Sequence, residues 1–479
     1  MIGAATPVLR YDAAARYSWL LVAAGLIAFG ASSGVALAFG ELEALWVTLS
    51  LVTCLAVLFD FRIGAVAMIV LLPVSATNLF PHELMKITGL NPLNLLLAGT
   101  LVSYLLRRRQ QVGALMPRPL LWLFVVPIVV AGGLGSLHVH EIVPYFYESM
   151  VIHFTTAAGY LRDMLMKPLV IVVVALMIGA AAARSQKPER FIVPIAISVW
   201  LIALVEIGFV AVSGVKLGDL AGSGQRGFFL AVGLHANDIG RLLAVAYALL
   251  LFTWWESKNP ALKLFLFITM GVLSFGLAVT FSRGAFIGFL LVNAMFLAWK
   301  FNARTLALAV GAAAVCVLLA PGYLVGRFTV GLDSGSANAV SAGRVEEIWA
   351  PLLPEVFKAP LWGNGLNSIL WSDAMETGAM ITVLHPHNAY LEALLDIGVI
   401  GVILFGAYYW HVWRGFRTLG SNAYLSPEMR GFFQGAAAGL LCFLVTGMSG
   451  SSLRPVWEFS YLWMAIGMMY GLLARRPAG

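Results

Sequence analysis

Apolar residues run along this chain in long blocks, each closed by charged residues, proline or glycine, rather than alternating or forming a narrow helical stripe. A bilayer span needs roughly 20 apolar residues, and the pattern supplies about fourteen such blocks. They lie at 18–39, 43–60, 63–80, 91–106, 119–137, 168–184, 191–213, 239–255, 261–279, 284–300, 304–321, 390–413, 431–450 and 455–474. The third and fourth are short and punctuated by Pro73, Pro81 and Pro92, and the stretch 138–167 has room for a re-entrant or interfacial helix. The expected fold is all-α, a polytopic integral membrane protein with about 14 transmembrane helices (about 12–14) and one long external loop, 322–389. Structureless loops beyond ~12–15 residues are uncommon unless functional. This one carries an amphipathic stretch from Arg344 to Leu353.

Composition agrees. Of 479 residues, 61% are hydrophobic and 11% charged, with a mean hydropathy of +0.89. Soluble domains run nearer ~25% charged, so a single soluble globule, a disordered chain and a disulfide-rich secreted module are excluded. The net charge of +7 says nothing about nucleic acid, which is not expected as a partner. All three cysteines, Cys54, Cys316 and Cys442, fall in apolar runs, so neither a disulfide framework nor a cysteine metal site is expected. No cleavable signal peptide is evident, because the stretch Ser18–Phe39 is long enough to span and no small-residue cleavage site stands out.

Charge placement gives direction. With the N-terminus inside, most of the 30 Lys and Arg fall on the cytoplasmic side, including Arg107-Arg108-Arg109, Arg184, Lys187, Arg190, Arg414, Arg417, Arg475 and Arg476. Both termini are then cytoplasmic. His82, His138, His140, His153, His235, His385 and His387 fall outside with most carboxylates, and His411 does not. The chemistry is therefore expected on the external face.

No nucleotide-binding G-x-x-x-x-G-K-[ST], no H-E-x-x-H and no D-x-D is present, which argues against an ATP-driven pump and a zinc protease. Gly30-Ala31-Ser32-Ser33-Gly34 matches G-x-S-x-G but sits in an apolar helix, where small residues mean close packing. Three constellations remain. His385-Pro386-His387-Asn388 ends the long loop at a helix start, with Asn388 suited to cap it and Glu392 in the first turn. Gly398 and Gly401 follow on one face, where they would let a neighbouring helix approach. Ser282-Arg283-Gly284 puts an arginine at the outer membrane edge, and Arg226 with Arg241 brackets another helix start at His235-Ala236-Asn237-Asp238. Capping, snorkelling and wetting of helix ends would account for each of these taken singly. Together, guanidinium forks suit phosphate oxygens and a near-neutral histidine suits taking a proton from a hydroxyl. Glu206 is the one charge placed well inside a span, where it would pair with an external arginine or line an acceptor site.

These residues resemble the O-antigen ligase and polymerase superfamily. The signature H-[NSQ]-x9-G-x-x-G is met by His387, Asn388, Gly398 and Gly401. Arg344 with Trp349, and Pro360-Leu361-Trp362-Gly363-Asn364-Gly365, are similar to the family's R-x4-W and P-x-x-G-x-G segments. The resemblance covers roughly residues 220–410, within a division into N-terminal helices (1–220), a ligase-like core with its periplasmic loop (221–413) and C-terminal helices (414–479). It implies an inverting glycosyltransferase of the bacterial inner membrane whose donor is a periplasm-facing glycan on undecaprenyl diphosphate. The acceptor would be a saccharide or a lipid A–core. His387 would be the general base and Arg226 and Arg283 would hold the diphosphate, with His385, Asn388, Arg241, Arg344 and Glu206 in support. Neither metal nor cofactor is implied. Fourteen spans exceed the dozen of a ligase and fit a polysaccharide polymerase at least as well, which would add a chain-length regulator as a partner. A flippase of the same lipid would want charges along a central cavity on both sides, and a structural assembly protein would leave the His–Arg set unexplained.

Overall fold

The computed structural model describes residues 42–475, except 85, 107–115, 149–151, 153, 223–226, 320, 330–334 and 451. The expected span 18–39 with its Gly30–Gly34 sequence, the Arg107–Arg109 run, His153, Arg226 and Arg476 lie outside the described residues. The main helices, in chain order, are α1 (Leu42–Phe59), α2 (Phe61–Leu71), α3 (Pro92–Leu106), α4 (Arg118–Glu141), α5 (Ala157–Arg184), α6 (Pro188–Ser213), α7 (Ala236–Glu256) and α8 (Pro260–Val279). They continue with α9 (Arg283–Trp299), α10 (Ala303–Leu319), α11 (Gly322–Thr329), α12 (345–356), α13 (Ala389–Gly420), α14 (Pro427–Thr446) and α15 (Ser460–Ala474).

Among the described residues, seven helices are long and apolar enough to cross a bilayer, and shorter apolar helices accompany them. The protein is thus a multi-pass membrane protein, helical almost throughout. The expected span at 63–80 is shorter than its hydropathy suggests. α2 ends at Leu71, and Pro73, Asn78 and Pro81 fall in a 3-10 turn and irregular backbone leading to a two-residue hairpin, Glu83–Leu84 with Ile87–Thr88. Proline cannot continue the helical hydrogen-bond ladder. α5 starts earlier than expected, at Ala157, capped by the Thr156 hydroxyl.

α7 is the centre of the bundle and is almost wholly buried. α14 lies against it through Gly431, Gly435 and Gly439, one helical turn apart, and a Cβ at Gly435 would fall on the Ala248 carbonyl. Small residues let helix backbones approach where burial from lipid supplies no hydrophobic drive.

α13 is broken. Gly398 has φ 62° and ψ −174°, so the helix changes direction there. The freed backbone groups are met by the P-x-x-G-x-G segment of the long loop. Val399 N donates to Pro360 O (2.9 Å), Ile400 N to Leu361 O (3.2 Å), Asn364 N to Leu395 O (2.7 Å) and Gly365 N to Asp396 O (3.1 Å). A Cβ on Gly398 would strike Leu361 and Gly363. This corrects the expectation for Gly398 and Gly401: they do not offer a face to a neighbouring helix. Gly398 is the break, it receives a loop, and the space beside Gly401 is taken by Ile397 of its own helix.

The break is braced by charge. The Asp396 carboxylate accepts from Asn367 N (2.8 Å), Ser368 N (3.0 Å) and the Ser368 hydroxyl (3.1 Å). Glu392 pairs with Arg454 at 2.9 Å, and Arg454 also donates to the Asn367 side chain (2.9 Å). Glu392 and Asp396 are both buried in α13, so Glu206 is not alone as a carboxylate inside a span. Gly398→Ala should lower the apparent Tm of the detergent-solubilised protein, by about 1–3 kcal/mol of overpacking and φ strain. Gly271→Ala on α8, where a Cβ meets nothing, should leave it within about 0.5 kcal/mol of the parent.

Candidate active site

Three helix starts converge on the loop-bearing face. α7 follows His235, whose Nδ1 accepts from Asn237 N (3.2 Å). α9 follows Ser282, whose hydroxyl accepts from Ala285 N (3.4 Å), and α13 follows Asn388, whose side-chain oxygen accepts from Tyr390 N (3.1 Å) and Leu391 N (3.2 Å). Gly240 on α7 lies against Thr280, Ser282 and Ala285. The start of α13 is tied to α14 by the Tyr390 hydroxyl, which donates to Leu444 O at 2.6 Å. Helix N-termini present unsatisfied N–H groups and the positive end of the helix dipole.

Beside these ends runs a groove of about 380 Å³. Arg241 of α7, Arg283 of α9, Arg327 of α11 and Arg344 at the head of α12 line it. Arg241 is buried and committed: its Nη2 donates to Asp238 and to Glu458 (3.1 Å), so two carboxylates match its charge. Arg283, Arg327 and Arg344 come from three separate elements around the same space, which is the geometry of a polyanion site.

The histidines stand next to this groove. His385 and His387 pack ring to ring, 4.2 Å between centroids, on a turn held by the Trp349 indole N–H, which donates to Pro386 O at 2.8 Å. His387 has φ 53° and Phe281 φ 49°. Each immediately precedes the cap residue of its helix. Non-glycine residues in this region cost of order 1–3 kcal/mol and cluster at functional sites. Burial pushes the His385 pKa down to about 4, helped by Arg241, His235 and Arg344 and opposed by Asp238. Burial, then His385, Arg344, His235 and Arg241, pushes His387 down to about 2. Both rings are therefore neutral at pH 7, and a neutral imidazole is able to accept a proton.

Of the residues read from sequence, the structure brings His385, His387, Asn388, Arg241, Arg283 and Arg344 to this region. Arg226 lies outside the described residues. Glu206 is elsewhere: it is fully buried on α6 against Gly276 of α8, it does not line the groove, and neither carboxylate oxygen has a hydrogen-bond partner among the described residues. Among the described residues no arginine pairs with it. Sequence reasoning missed Arg327 as a groove residue, and with it the role of Trp349 in holding the histidine turn. The amphipathic character of α11, with its single arginine, was the available clue.

Fold and site together define a multi-pass membrane protein with a cationic groove and a half-buried, neutral histidine pair on one face. Residues 265–406 match the family model described as O-antigen ligase, a stretch that contains Arg283, Arg327, Arg344, His385 and His387. The match covers less than a third of the chain and makes that stretch similar to the family. The similarity supports glycosyltransferase-type activity in envelope polysaccharide synthesis, on lipid-linked glycan and saccharide substrates in general. No curated protein matches the chain. Trp349→Phe removes the indole N–H that bonds Pro386 O and should loosen the histidine turn. The expected outcome is faster diethylpyrocarbonate modification of His385 and His387, read by mass spectrometry, with a stability loss of about 1 kcal/mol.

Proposed function

We propose that the chain transfers a glycan from undecaprenyl diphosphate to a hydroxyl of a saccharide or lipid A–core acceptor on the periplasmic face, as an O-antigen ligase or a surface-polysaccharide polymerase. The observation that carries this reading is the neutral His387 beside a groove lined by four arginines. His387 takes the proton from the acceptor hydroxyl. The oxygen attacks the anomeric carbon from the side opposite the diphosphate, the C–O bond to the diphosphate breaks, and its electron pair leaves with the diphosphate. Arg283, Arg327 and Arg344, with the N-terminus of α9, meet the charge that develops there. His385 packs against the base, Asn388 caps the helix behind it, and Arg241 is held by its carboxylates as part of the groove wall.

His387→Ala should abolish transfer, measured as product on the acceptor with purified donor, while leaving donor binding nearly intact; retained transfer would remove the general-base role. Arg283→Ala and Arg344→Ala should weaken donor engagement by about tenfold or more each. Lysine at either position should restore it only in part, because an ammonium cannot reproduce the guanidinium fork. A pH dependence follows from the depressed His387 pKa. In the donor-free enzyme the base stays unprotonated far below the usual histidine range, so the acid limb of kcat/KM for donor lies well below pH 6.5. A bound diphosphate offsets the neighbouring positive charges and raises the His387 pKa, so kcat should fall at a higher pH than kcat/KM. Coincident acid limbs would contradict the adjacency of base and anion.

A further inference from the structure

A second concave site lies on the same long loop. It is a cavity of about 170 Å³ walled by Trp371, His138, Glu355, Lys358, Asp373 and Asn364, none of which lines the arginine groove. Its walls are fixed. The Trp371 and His138 rings are nearly parallel, 12° apart with centroids at 5.5 Å, and Glu141 pairs with His138 at 2.8 Å. Lys358 bridges Glu355 (2.8 Å) and Asp373 (2.7 Å), and Glu355, buried, also accepts from Ala374 N (3.3 Å). The floor is Ser368 and Leu395, held by the Asp396 bonds and by Asn364 N on Leu395 O.

The chemistry is the reverse of the groove's. Three carboxylates, Glu141, Glu355 and Asp373, line the cavity with one lysine and an aromatic wall, while the Asn364 amide donates to Glu355 O and Leu395 O and the Ser368 hydroxyl to Asp396. Carboxylates accept bonds from hydroxyls, an ammonium donates to ring and hydroxyl oxygens, and an indole edge or face covers a ring's apolar C–H surface. The cavity is the size of a single sugar ring, and its excess of carboxylate disfavours an anionic one. We propose that it binds one neutral pyranose residue of a saccharide. That this saccharide is the acceptor rests on the glycan-transfer reading; the binding itself does not. Both sites hang on the start of α13, since His387 precedes the helix and Leu395 lies about 10 Å along its axis. A saccharide anchored by one ring in the cavity is suited to offer another ring to the histidine.

The test uses the full chain in detergent and saturation-transfer difference NMR. The probes are methyl glucopyranoside, galactopyranoside, mannopyranoside and N-acetylglucosaminide, with methyl glucuronide as the anionic control. The expected result is saturation transfer to at least one neutral glycoside, lost in Trp371→Ala and weakened about tenfold in Glu141→Gln, which alters a surface carboxylate without touching the core. His387→Ala should bind the probe as the parent does. Absence of transfer to every neutral probe, survival of the signal in both cavity variants, or equal binding of the glucuronide would overturn the proposal. If His387→Ala retained glycan transfer while the cavity variants lost probe binding, the general base would be wrong and the sugar site would stand.

Discussion

A backbone break inside a membrane helix has no water to satisfy it, so protein must supply every hydrogen bond the helix gives up. The break at Gly398 therefore dictates where the long loop goes. The segment 360–366 lies in the break on one side, and on the other Leu366 N donates to Ala131 O of α4 at 3.1 Å. With its middle trapped between two spans, the loop cannot drift as a surface excursion. Its earlier part carries Arg327, Arg344 and Trp349 to the groove, and its end carries His385 and His387 to the same place.

The charges around the groove and the helix break obey one rule: Arg241 and Arg454 are matched by carboxylates, and the histidine pair is kept uncharged. Arg241 is balanced by Asp238 and Glu458, Arg454 by Glu392, while Asp396 is saturated by backbone N–H groups and a hydroxyl. A buried charge left alone costs several kcal/mol. His387 lies where an added proton would face two arginines and two further histidines in a half-buried setting. An anion in the groove would offset that positive surrounding locally.

Much of the architecture was legible because lipid-facing and buried helices leave long apolar runs, and the scarcity of charge made Arg226, Arg283 and His387 conspicuous, of which Arg226 lies outside the described residues. What was hidden depends on distant partners. The glycine pair at Gly398 and Gly401 has helical spacing, and only the docked loop reveals that one of them is not helical at all. Glu392 and Asp396 sit in an apolar run whose tolerance for them comes from Arg454 and from the 367–368 turn. α2 fell short because apolar character continues past Pro73 although the helix does not. Nothing local to Trp371 or His138 indicates that they share a wall, since they meet across more than two hundred residues of chain.

The ion pair between Arg241 and Glu458 spans 217 residues. At typical synthesis rates the arginine emerges about 10–40 s before its distant carboxylate exists. During that interval α7 must enter the bilayer with a guanidinium already on it. Asp238, one turn away and bonded to the same nitrogen, is the counterion present from the outset. The doubled carboxylate on Arg241 is thus a matter of timing as well as of balance: the local partner serves the nascent chain, and the remote one locks the finished bundle.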